Sequence, residues 1–372
     1  MSLDETTALP HIRVLELANH RAHYCGKLLA DLGAEVVKVE PPEGDSTRRE
    51  GPFKDDVPDP EGSLSFIYYN ANKMGITLDL ESPGDRDAFL RLAEGADVVL
   101  ESFRPGQLEA WGLGYAELRR LNPGLVLASL SGFGQTGRNS QLLAPELVCT
   151  AMGGTMFISG HPDKPPLTPP LELGHQLASV HLALGVLTAL FERASTGRGQ
   201  HLDVSVQEVL AWHRHLIVNY SSNQAIGIRA TSGGAAAPSG MYPCADGFVN
   251  MHIMAPAHWK VFLRWMGNPP ALCDEIWENR HFRALNLDVL DPFVKEFTLA
   301  HTKSELYRQG QAHHLPVAPI NTPRDFAEDP HEGARRFFVS AYHPRLGSYQ
   351  TPAAPFRLSA TPCALREARD QR

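Results

Sequence analysis

Short apolar runs alternate with helical patterns over roughly the first third of the chain. Residues 12–17 (IRVLEL) read as a buried strand. Leu28, Leu29 and Leu32 continue a helical pattern that Gly33 stops. Residues 34–40 (AEVVKVE) form a second strand ending at Pro41, and 77–80 (TLDL) a third. Ser82 then caps a helix with Pro83 at its first position. That helix carries Phe89, Leu90, Leu92 and Ala93 before Gly95. Residues 97–101 (DVVLE) and 124–130 (GLVLASL) are strands flanking a short helix over 115–121. Strand–helix–strand order predicts parallel pairing through right-handed crossovers, hence an open α/β sheet. Ligands of such sheets sit at the carboxyl ends of the strands, so the loops after Leu17, Glu40, Glu101 and Leu130 are where chemistry is sought.

Beyond the sheet, residues 172–194 read as a long helix stopped by Thr196-Gly197. A strand over 200–206 and a helix over 208–219 follow. Residues 226–240 are rich in Gly, Ala and Ser and predict a mobile loop. Asp246-Gly247 between MYPC (241–244) and FVNMHI (248–253) predicts a hairpin. Helices fill 257–312, and Pro-rich turns with short strands close the chain.

Composition narrows the function classes. The 372 residues are 43% hydrophobic and 20% charged, as expected of a soluble globular protein. A net charge of −8 argues against bulk nucleic-acid binding, which needs a basic face. Five scattered cysteines without a C-x-x-C pair read as free thiols in a reducing cytoplasm. The N-terminus lacks an apolar signal core. The longest apolar-rich segment, 177–191, is broken by Ser179, His181 and Thr188, so no membrane span is expected. His20 and His23 are three apart and suit one face, but no third ligand is evident, and no metal is expected; His213 and His215 face different directions. Gly132-x-Gly134-x-x-Gly137 formally matches a dinucleotide fingerprint, yet a loop-like RNSQLLAPE follows where a helix is required. It reads instead as a tight turn.

A series of motifs resembles the class III, CaiB/BaiF-type CoA-transferases, in order and over nearly the whole chain. They are LLADLGAEVVKVEPPEGDSTR (28–48), the stretch from Asn72 through FRPG to SGFGQTG (72–137), FERASTGRGQHLDVSVQEVL (191–210), YPCADGFV (242–249), PVAPINTPRDFAEDPH and FRLSATP. The resemblance implies a Rossmann-like large domain over 1–220, completed by 320–372, and a smaller α+β domain over 221–319. It also implies an interlocked dimer, with a homologous subunit as an alternative partner. Coenzyme A and acyl-CoA are then substrates, a carboxylic acid is the acceptor, and no cofactor is tightly held.

The same resemblance assigns roles residue by residue. Glu146 in APELVCTAMGGTM occupies the position of the family's nucleophilic aspartate, one methylene longer. Gln135 and backbone N–H groups of its turn would polarise the thioester carbonyl. Lys38, Asn72, Lys73, Phe103 and Arg104 match the positions that meet CoA, where a guanidinium suits phosphate and an aromatic ring suits adenine. Gly233 and Gly234 match a glycine lid. Two departures stand out. Arg21-Ala22-His23 replaces A-G-P beside the expected CoA channel, and Gly174-His175 replaces Gly-Asp. Related racemases use a histidine and an aspartate where this chain has Pro145 and His175, leaving His175 as the candidate base of a lyase- or racemase-like alternative. A catalytically degenerate subunit is the other alternative.

Overall fold

In the computed structural model, which describes residues 7–160, 163–213, 237–363 and 365, the chain divides into two compact units. One takes its residues from Met1–Met156, Thr168–Gln224 and His331–Arg372, the other from Phe157–Leu167 and Ala225–Pro330.

The first unit is built on a parallel sheet of six strands: β1 (Arg13–Glu16), β2 (Glu35–Glu40), β3 (Met74–Thr77), β4 (Val98–Glu101), β5 (Val126–Ser131) and β6 (His201–Ser205). Their order is β3-β2-β1-β4-β5-β6, so the winding reverses between β1 and β4. Alternate residues feed two cores because side chains along a strand alternate faces. Val14 packs with Val36, Val98 and Val126 on one face, and Leu15 with Val39, Val99 and Leu127 on the other. The long helix α7 (Leu173–Thr196) seals the first face with Ala178, Leu182, Val186 and Ala189. Truncating a fully buried leucine such as Leu100 to Ala would cost about 2–5 kcal/mol.

The third strand lies earlier than its sequence pattern predicts. Pairing with β2 runs from Val37↔Met74 to Glu40↔Thr77, and Leu80 is buried from a turn rather than a strand. The helices of this unit are α1 (His23–Asp31), α2 (Leu64–Asn70), α3 (Pro83–Ala93), α4 (Gln107–Ala110), α5 (Tyr115–Leu121), α6 (Glu146–Met152), α7 (Leu173–Thr196) and α8 (Val206–Trp212). By length and composition α7 could cross a membrane, a property that the broken apolar run at 177–191 did not predict. It is a core helix here, with His175 and Ser179 buried along it. A hairpin of Phe338–His343 and Gly347–Pro352 returns to this unit, where Lys54 donates to the Arg345 carbonyl at 2.9 Å and Arg345 pairs with Asp59.

The second unit holds the expected hairpin, Ser239–Cys244 with Gly247–His252, joined by Val317–Pro319. Trp259, Phe262, Leu290, Val294 and Leu306 form its core. The return to the first unit comes at His331 rather than near residue 320. The strand at 317–319 pairs with 249–251, and Asp325 is tied to Lys303 at 2.8 Å, which keeps that stretch in the second unit. Gly233, Gly234 and His215 lie outside the described residues.

Candidate active site

The loops after β1 and β4 meet at the reversal point of the sheet. Leu17 N–H donates to the Leu100 carbonyl at 2.7 Å, and Asn19 N–H to Ser102 Oγ at 3.0 Å. This is the crevice where open α/β sheets bind ligands. Beneath it lies a buried charge cluster. Glu16 is fully buried and takes Lys73 Nζ at 2.7 Å and Lys38 Nζ at 3.5 Å. Lys38 also reaches Asp45 at 2.8 Å and the Ala18 carbonyl at 2.9 Å. Lys73 also reaches the His23 carbonyl at 2.8 Å and Asn70 Oδ1 at 3.0 Å. Gly26 makes room for Glu16, since a Cβ there would lie 1.7 Å from Oε2.

Each ammonium has three donors: Lys73 meets three acceptors within 3.0 Å, whereas Lys38 meets two within 2.9 Å and pairs with Glu16 at 3.5 Å. Burial pulls Lys73 down to about 8 against the attraction of Glu16. Burial also lowers Lys38, but Glu16 and Asp45 outweigh it and its pKa is raised. Burial would raise Asp45; Lys38 and the Thr47 hydrogen bonds instead hold it at about 2. Lys38 and Lys73 therefore hold the loops after β1 and β2 together. These are the partners found around the two lysines to which the resemblance assigns CoA contacts. Asn72, with φ of 67°, donates to Asp31 at 2.7 Å.

Phe103 and Arg104 sit on the loop after β4. The Phe103 ring packs edge-on against Trp111 at 5.2 Å, and its N–H donates to Glu101 at 2.6 Å. Arg104 is exposed, with Nε 3.1 Å from Gln141 Oε1. Burial lifts the Glu101 carboxyl to about 7, against hydrogen bonds from Ser129 and Phe103 that lower it. Gln135 is turned toward Asp203, which its N–H reaches at 2.9 Å, and toward Glu101 at 3.5 Å.

Glu146 is the first residue of α6, after Pro145. No helix follows the Gly-rich turn before it, as the loop-like sequence predicted. Gly132 sets its position: a Cβ there would lie 2.0 Å from Ala144 Cβ, so only glycine lets this segment close onto the end of β5. Cys149 is buried beneath, its thiol raised to about 11 by burial and then by Glu146. The Glu146 carboxylate reaches across to the N-terminus of α7. Oε1 accepts from Gly174 N–H at 2.7 Å and Oε2 from His175 N–H at 3.0 Å. Thr150 Oγ1 lies 3.3 Å from Oε1. The side chain is 12% exposed. Two amides at the start of a 24-residue helix favour negative charge on those oxygens. A Cβ on Gly174 would come within 2.6 Å of Oε1, so a glycine is needed for the carboxylate to approach.

His175 Nδ1 lies 3.4 Å from Glu172 and 3.6 Å from Glu146. Its ring is buried, and Nε2 has no hydrogen-bond partner among the described residues. His20 packs its ring 5.5 Å from that of His175. His23 turns elsewhere and stacks on Tyr69 at 4.1 Å, so the two histidines do not share a face. Instead His20, Glu172 and His175 bring one ligand-type atom each within 4.8 Å of one another, supplying the third group that the sequence did not reveal. Burial lowers His20, with Glu172 opposing it; burial and then Lys73 put His23 well below the ordinary imidazole value. Glu16, Glu101, Glu172 and Gly132 were all missed as site residues. Only Gly132 carried a signal, as the first glycine of the apparent fingerprint.

The crevice at the reversal point of the sheet, with a carboxylate held by helix amides near it, belongs to an open α/β protein built to bind a ligand at its strand ends. The profile of CoA-transferase family III matches residues 9–369, and the chain belongs to that family. It is 38% identical to a succinyl-CoA–D-citramalate CoA-transferase of Chloroflexus aurantiacus, over 95% of this chain and 88% of that one. It is 32% identical to a succinyl-CoA:(R)-benzylsuccinate CoA-transferase subunit of Thauera aromatica, over 92% and 86%. The crystal structure of a CaiB/BaiF family protein from Brucella suis superposes with a TM-score of 0.87 at 27% identity, covering 100% of this chain and 97% of that one. The protein is a CoA-transferase that moves CoA from an acyl-CoA to a carboxylic acid.

Proposed function

We propose that Glu146 is the nucleophile and is acylated in turn by donor and acceptor. One oxygen of its carboxylate attacks the thioester carbon, and CoA leaves as the thiolate, giving a mixed anhydride. The thiolate then attacks the Glu146 carbonyl, releasing the donor acid and leaving a glutamyl–CoA thioester. The acceptor carboxylate attacks that thioester to form a second anhydride. The returning thiolate takes the acceptor acyl group and frees Glu146. Charge gathers on a Glu146 oxygen in the two middle steps, when its own carbonyl is attacked. The amides of Gly174 and His175, at 2.7 and 3.0 Å, are the donors such an oxyanion needs. That contact is the observation that carries this reading.

In the same reading Phe103 and exposed Arg104 meet the nucleotide end of CoA, while Lys38, Asn72 and Lys73 support the crevice from below. Gln135 assists the thioester carbonyl once its side-chain amide leaves Glu101. Gly233 and Gly234 serve as the lid. The assembly is a homodimer in the cytoplasm. The Thauera relative is named as a subunit, which keeps pairing with a homologous chain as the second form to test. Both relatives' names carry succinyl-CoA, making it the first donor to try.

The experiment traps the acyl enzyme. After incubation with succinyl-CoA and hydroxylamine, mass spectrometry should find a hydroxamate on Glu146, and none in Glu146→Gln. No adduct with any thioester, or full turnover by the Gln variant, overturns the reading.

A further inference from the structure

Among the described residues, Arg21 Nε, His20 Nδ1 and His175 Nε2 are buried with no hydrogen-bond partner; His175 Nδ1 lies 3.6 Å from Glu146, and the His20 ring is 5.5 Å from that of His175. His175 is 2% exposed, so its ring is closed off from bulk solvent. Leaving a buried polar atom unpaired costs about 1–3 kcal/mol, so each such atom calls for an explanation, a bound ligand among them. The loop carrying two of them is fixed from both sides. Arg21 N–H donates to Asn19 Oδ1 at 3.2 Å, and its carbonyl accepts from Ser179 Oγ of α7 at 3.1 Å. The Arg21 charge is felt at His20, Glu172 and Cys149, one turn along α6 from Glu146.

We propose that Arg21, with the ring nitrogens of His20 and His175, anchors a second, non-reacting carboxylate on the acyl group, so that the acids exchanged are short dicarboxylic acids. This rests on acylation of Glu146. A guanidinium is always charged and forks onto carboxylates, and imidazole N–H groups add donors at its edge. The same guanidinium opposes a divalent cation among His20, Glu172 and His175, although their spacing would admit one. Timing favours the anchor. Free Glu146 repels an incoming carboxylate; acylation removes that charge and leaves Arg21 dominant.

The test compares succinyl-CoA with butyryl-CoA, its uncharged counterpart of equal length. In hydroxylamine trapping, wild type should prefer succinyl-CoA. Arg21→Gln should cut the succinyl-to-butyryl ratio of kcat/KM by about 30-fold or more, with Arg21→Lys in between. In unreactive Glu146→Gln, adding Arg21→Gln should erase the preference in calorimetric affinity, a readout that needs no chemistry. A ratio unchanged by both Arg21 variants overturns the anchor while acylation stands. Absence of any adduct, with the affinity preference intact and Arg21-dependent, overturns acylation but keeps the anchor. Stoichiometric zinc retained by Arg21→Gln and lost in His20→Ala would identify a metal site and overturn it.

Discussion

The Glu146 carboxylate touches two amides of another helix because its side chain is long enough to cross to them. Shortening it by one methylene withdraws both oxygens from contacts of 2.7 and 3.0 Å. Glu146→Asp keeps the charge but not the reach, and turnover should fall on the order of 100-fold. Equal activity of the two acids would show that the amides of α7 do not matter. Gly174→Ala tests the same contact from the other side. Alanine is the better helix former by about 1 kcal/mol, yet its Cβ would crowd Oε1 at 2.6 Å. Thermal stability should change little while kcat drops roughly 100-fold, with KM less affected.

At the scale of elements, the carboxyl ends of β4 and β5 position the chemistry. Glu101 ends β4 with a folded pKa of about 7 against an ordinary 4.5. Between those values the native chain keeps a proton that the unfolded chain has released. Stability therefore falls as pH rises from 4.5 to 7, by up to about 3 kcal/mol. Glu101→Gln should remove that slope, read as urea midpoints across this window; an unchanged slope would assign it to other groups. At the end of β5, Gly132→Ala forces two Cβ atoms to 2.0 Å and must push α6 away. It should cost about 1–3 kcal/mol and disable Glu146 as well. Strand positions were readable because buried parallel strands are short apolar runs. β3 slipped because Ile76, Leu78 and Leu80 all pack on the same core, and apolar spacing does not distinguish a strand end from the turn after it.

For the whole molecule, the outer face of α7 exposes Val180 (44%), Leu184 (60%) and Phe191 (81%), spaced to lie along one side. Apolar surface of this kind marks an interface, and the proposed dimer supplies the occupant. Phe191→Asp should shift the mass seen by light scattering from twice 40.9 kDa toward that of one chain; an unaltered dimer mass would put the interface elsewhere. The sequence alone determined the alternation of strands and helices, the turn at Asp246-Gly247 and the acid at position 146, because periodicity, turn chemistry and motif order are local properties. Only the tertiary structure decided what each charge faces. Lys38 and Lys73 matched positions that meet CoA, yet both are enclosed by Glu16 and its neighbours. Arg21 stands where A-G-P is expected beside the CoA channel, yet its Nε, like His20 Nδ1 and His175 Nε2, is buried with no partner among the described residues. Partners 20 to 158 positions apart along the chain meet only when parallel crossovers fold loop onto helix, and such distances leave no trace in local pattern.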